Sequence, residues 1–130
     1  MVWTGPGTGP EAGAEAAEVH LRDPLPIAIW DETETYARHM LDALAASGRA
    51  HRVAVVSRSM AGLRGAVQAG VAVTAMMESS VGPGMRVLAA AEGFPPLVEL
   101  AVHLERAHLR RSAVIDRLEA HILGCFSARA

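Results

Sequence analysis

A chain of 130 residues, 51% of them hydrophobic, is long enough for one globular domain, and a formal net charge of −2 argues against a nucleic-acid-binding surface. All 12 basic residues are arginine, which excludes a phosphate-loop lysine, a Schiff-base lysine and a Ser-x-x-Lys catalytic pair. Cys125 is the single cysteine, so no intrachain disulfide forms and no thiolate zinc site is expected; this fits a reducing cytoplasm.

In chain order, Met1–Thr4 reads as a short strand, and Gly5–Glu18, full of Gly, Pro, Ala and Glu, reads as a mobile loop. Pro24–Trp30 is a continuous apolar run that predicts a strand buried on both faces. Asp31–Gly48 carries the clearest helical pattern. Asp31 and Glu34 are placed for a capping box, with Thr33 as a second cap, and Tyr36, Met40, Leu41 and Leu44 share one face. Gly48 is placed to end that helix in a left-handed turn. Arg52–Val56 predicts a second buried strand. Ser59 is a cap for a helix to Ala69, with Met60, Leu63 and Val67 inward and Gly70 stopping it. Val71–Met77 predicts a third strand.

Beyond Glu78 the pattern weakens. Val81–Gly84 and Gly93–Pro96 read as turns, Met85–Leu88 as a short strand, and Leu97–Leu104 as a strand with Leu100, Val102 and Leu104 on one face. Ser112 caps a last helix whose apolar positions are Ile115, Leu118, Ile122 and Phe126. The β-α-β-α-β order predicts a mainly parallel α/β sheet of about five strands with helices on both faces, Arg52–Val56 and Val71–Met77 lying in the same sheet.

In such sheets ligands bind beyond the carboxyl ends of the strands. Here that end gathers 31–36, 57–60 and 74–78. A helix N-terminus favours anions, and the loop of Ser57 and Ser59, with Arg58 beside it, suits one better than the acidic start of the preceding helix does. A small-molecule effector, a carboxylate among the candidates, is therefore expected near Ser57, Ser59 and Met60. The bland alternative is that Ser59 only caps its helix. The histidines show no metal-ligand spacing, Gly5–Pro10 is a poor dinucleotide loop, and Ser79–Ser80 lacks nucleophile-elbow glycines. Cys125 is expected to pack on a helix face, and Arg110–Arg111 to be a solvated pair. No cofactor, metal or catalytic group is expected. No leader is legible, and Gly65–Met77, the longest uncharged stretch, is shorter than the roughly 20 apolar residues that span a bilayer.

The run Ser57-Arg-Ser-Met-Ala-Gly-Leu-Arg-Gly-Ala-Val-Gln-Ala-Gly-Val-Ala-Val-Thr-Ala-Met resembles the strand–helix–strand signature of the LysR-type effector domain. Leu25-Pro-Ile-Ala-Ile-Trp with the Tyr36 helix, Met85-Arg-Val-Leu, Gly93-Phe-Pro-Pro-Leu and the opening Val2-Trp3 are similar to its other elements. The resemblance implies a lobe like the type II periplasmic binding proteins, divided into a crossover strand (1–4), a flexible loop (5–22), an effector-binding lobe (23–104) and a C-terminal helix (105–130). It also implies effector contacts at Thr35 or Tyr36 and near Thr74, and effector domains paired as a homodimer. DNA would be met only through a helix-turn-helix domain that, with the first lobe, lies outside this stretch. Where the family's strand after Thr74 ends in proline, Met77-Glu78 stands here. The function implied is ligand-controlled transcription; the competing readings are a stand-alone dimerisation module and, with no nucleophile–base pair legible, an enzyme.

Overall fold

The computed structural model describes residues 1–9, 14–106 and 112–127. It divides into two units, Met1–Leu100 and Ala101–Ala130. The expected solvated pair Arg110–Arg111, and His108, lie outside the described residues.

The first unit begins with β1 (Val2–Pro6), a four-residue helix α1 (Ala14–Ala17) and β2 (Leu25–Ile29). Then follow α2 (Thr35–Ala46), β3 (His51–Val56), α3 (Met60–Gln68), β4 (Thr74–Met76) and β5 (Met85–Leu88). The strands form two sheets: three antiparallel strands in the order β4-β1-β5, and the parallel pair β2-β3. The fold is thus a small mixed α/β arrangement, and the expected mainly parallel five-stranded sheet is overturned. The reason lies in the connections. A parallel neighbour needs a crossover, and only α2 joins two strands that pair side by side. α3 leads from β3 to β4, which belong to different sheets. The chain between β4 and β5 turns back without a long helix, Gly84 adopting φ 73°, and β1 runs antiparallel between them.

One parallel contact links the sheets. Ile27 bridges Val73, with Ala28 N–H donating to Val73 O at 2.8 Å and Val73 N–H to Pro26 O at 2.9 Å. β2 and β4 therefore end on the same side.

β2 is buried along its whole length, as its apolar run predicts. Leu25, Ile27 and Ile29 join Ala37, Met40 and Leu44 of α2, together with Trp3, Val73, Leu88 and Phe94. Ala28 turns to a second cluster with Leu63 of α3 and Ala72. By contrast β3 is not the buried strand expected. Among the described residues it pairs on one side only, and Val53 and Val56 are 41% and 59% exposed.

Several local predictions meet their physical cause, and others shift. Gly48 and Gly70 take φ 68° and 65° at the ends of α2 and α3. Gly70 is also steric, since a Cβ there would lie 2.3 Å from Ala16 Cα. α2 starts later than Asp31. Glu34 is its cap, the carboxylate accepting from Ala37 N–H at 3.1 Å, while Asp31 accepts from Thr33 N–H and hydroxyl. The predicted loop after Thr4 is in part ordered: β1 runs on to Pro6, because Gly5 leaves room for Leu88, whose Cδ1 would be 3.0 Å from a Cβ.

A polar clasp holds the end of β5. Arg86 places its Nη1 and Nη2 3.0 and 2.7 Å from the two Glu92 oxygens, and Glu92 also accepts from Ala89 N–H. These bonds, Arg86 first, pull the Glu92 carboxyl down to about 2. Arg49 donates to Gly93 O and lies 4.3 Å over the Phe94 ring.

In the second unit α4 (Ala113–Ser127) is capped as predicted, Ser112 Oγ accepting from Ile115 N–H at 3.2 Å. Arg106 bridges Asp116 and Glu119. The strand expected over Leu97–Leu104 is absent: residues 95–106 have no regular structure and pair with no strand, so alternation alone did not make one. Leu118 and Phe126 are 56% and 53% exposed. Cys125 is exposed as well, not a packing residue, with Sγ 3.8 Å from His121 Nε2 one turn earlier.

Candidate functional site

The shared end of β2 and β4, with the start of α2 and of α3 beside it, encloses a half-open cavity of about 340 Å³. Ala28, Ile29 and Trp30 come from β2 and its exit; Thr74, Ala75, Met76 and Met77 come from β4 and its exit. α2 contributes Tyr36, Ala37 and Met40 with its cap Glu34, α3 contributes Met60 and Leu63, and Ser80 closes the set. The parallel Ile27–Val73 bridge creates this space: two strands end together, the following segments diverge, and the gap falls between them.

The cavity is apolar at depth. Met40, Leu63, Thr74 and Met76 are buried, and the Thr74 hydroxyl is satisfied, donating to Ala28 O at 2.7 Å. Trp30, Glu34, Tyr36 and Met77 are half-buried and Met60 is exposed, so these form the rim. Met60, expected to face inward with the core, is 38% exposed there.

Of the residues singled out from sequence, Tyr36, Met60 and Thr74 line this cavity, and Thr35, Ser57 and Ser59 do not. Thr35 is the exposed first residue of α2. Ser59 Oγ caps α3, accepting from Gly62 N–H at 3.5 Å, and Ser57 Oγ donates to Ser59 O at 3.4 Å. Arg58 pairs with Asp31, its Nε donating at 2.9 Å. Thr33's N–H and hydroxyl, then Arg58, hold the Asp31 carboxyl down at about 2. The cation expected beside the serines is therefore already matched by a fully ionised carboxylate.

Sequence reasoning missed Trp30, Met40 and Leu63 as lining, and placed the 74–78 stretch at this end without singling out Met76 and Met77. One signal was present: four of the six methionines, Met40, Met60, Met76 and Met77, converge here, and thioethers suit surfaces that must adapt to a guest.

Among the described residues no group of three His, Cys, Asp or Glu side chains is placed to hold a metal ion, and no helix is long and apolar enough to cross a membrane.

No protein-family model matches the chain. Among the curated proteins similar to it are two regulators. The HTH-type transcriptional regulator DgdR of Burkholderia cepacia is 32% identical over 123 residues, 94% of this chain and 39% of that protein. The HTH-type transcriptional regulator PecT of Dickeya dadantii is 30% identical over 80 residues, 62% of this chain and 25% of that protein. The chain thus spans well under half the length of the curated relatives it matches. Both are regulators of transcription by name.

Proposed function

We propose that this chain is the effector-binding part of a LysR-type transcription regulator, in which a small molecule held in the cavity controls transcription. The observation that carries the reading is the apolar cavity at the shared end of β2 and β4, ringed by Trp30, Tyr36, Met60 and Met77. Ligands of open α/β folds sit at that end, and the cavity has the size of a small-molecule site. Likeness to two regulators over much of the chain supports it. Contact with DNA belongs, in this proposal, to the helix-turn-helix domain of a whole regulator working in the bacterial cytoplasm.

Thermal melting with 2-phenylethanol, a neutral single-ring probe, tests the reading. A ligand that binds only the folded state stabilises it by about 2.7 kcal/mol at a hundred times its Kd. The melting temperature of the chain is expected to rise with probe concentration and to follow that dependence. No rise at millimolar probe would contradict a ligand site.

The proposal includes self-association. α4 exposes Val114, Leu118 and Phe126, and β3 has one edge unpaired among the described residues, with Val53 and Val56 exposed; a second copy of the chain is the partner proposed to cover them. Light scattering over a concentration series should give a dimer mass. A monomer throughout the series would contradict this part alone.

A further inference from the structure

Among the described residues that line the cavity read above as an effector site, Glu34 carries the one acidic side chain and none is basic. Resting on that reading, we infer that the cavity's ligand is a hydrophobic amine, a single apolar ring with a short arm ending in a protonated nitrogen, and not a carboxylate.

About 340 Å³ lies at the small end of ligand pockets, enough for one ring and a short arm. The deep end, with Met40, Leu63 and Met76, takes the apolar part; among the described lining residues the one fully buried hydroxyl, that of Thr74, already donates to Ala28 O. At the rim stands Glu34. Its Oε2 accepts the Ala37 N–H, and Oε1 has no partner among the described residues. Trp30 and Tyr36 line the same rim, and aromatic faces beside a carboxylate are the set that attracts an ammonium group.

Among the described residues no arginine or histidine lines the cavity, and the chain has no lysine. Neither arginine of the α3 segment is among the described lining residues. Arg58 pairs with Asp31, and Arg64 donates twice to Ser80 O, at 3.1 and 2.6 Å. The N-terminus of α2, which could have drawn an anion, is capped by Glu34 itself. A carboxylate ligand would lose hydration next to a like charge with no counter-ion among the lining residues.

Titration calorimetry of the full chain with three probes that share a ring and a two-carbon arm tests this: phenethylamine, 2-phenylethanol and 3-phenylpropionate. Phenethylamine should bind about tenfold more tightly than the alcohol, and 3-phenylpropionate most weakly. In Glu34→Gln, whose amide oxygen still accepts the Ala37 N–H, amine and alcohol should bind alike. 3-Phenylpropionate binding as well as the amine would overturn the ligand class while leaving the cavity a ligand site. Amine and alcohol binding equally to the wild-type chain would overturn the class in the same way. No binding by any of the three would overturn the ligand-site reading as well. The wild-type order decides the class even if the variant misfolds, and an amine preference that survives in folded Glu34→Gln would remove Glu34 as its cause.

Discussion

Trp3→Ala is expected to lower the stability of the first unit by about 4 kcal/mol, the scale for deleting a large buried aromatic side chain. Trp3 is only 3% exposed and sits on β1, the central strand of the antiparallel sheet, opposite Ala75 of β4 and Leu88 of β5. Its ring lies 5.2 Å from that of Phe94, and its indole N–H donates to Pro95 O at 2.7 Å. Truncation thus opens a cavity, strips Phe94 of its ring partner and takes the indole donor from the Pro95 carbonyl. Trp3→Phe keeps a ring and loses chiefly the hydrogen bond and some packing, so about 1.5 kcal/mol is expected. Urea unfolding followed by circular dichroism separates the two. A loss below about 1 kcal/mol for Trp3→Ala would mean that β1 does not hold the sheet together.

The contrast between β1 and β2 explains how much of this fold was legible. Leu25–Ile29 declares itself, because a strand buried on both faces is apolar at every position, and so it was found. β1 contains Gly5 and Pro6, residues that normally break strands, and nothing local says that they continue one. Their tolerance comes from Leu88 on a neighbouring strand and from the position of Pro6 at the strand end. Strand direction was equally hidden. The β-α-β order describes β2, α2 and β3 correctly, but it says nothing about a strand inserted from the start of the chain.

The candidate site was legible to the same limited degree. Tyr36, Met60 and Thr74 were reached by placing helix starts and strand ends side by side, together with a family likeness. Met40, Leu63 and Met76 could not be separated from core by pattern, because a residue that lines a cavity and one that fills a core obey the same periodicity. The preference of helix N-termini for anions points to Ser57 and Ser59. Their hydroxyls are used locally and Arg58 is held by Asp31, neither of which spacing reveals.

Met60→Trp is expected to weaken binding of phenethylamine by about a hundredfold while leaving stability within about 0.5 kcal/mol of wild type. Met60 is the first residue of α3 and 38% exposed on the rim, so a larger ring there fills the mouth of the cavity without entering the core. Retained affinity in a folded Met60→Trp chain would move the site elsewhere.

The most direct test of the cavity as a ligand site is the methyl spectrum of the six methionines, labelled with carbon-13 and titrated with phenethylamine. Met40, Met60, Met76 and Met77 line the cavity; Met1 and Met85 do not. The four lining methyls should shift together along one saturating curve, with Met1 and Met85 unmoved. Six stationary methyls, or shifts confined to Met1 and Met85, would contradict it.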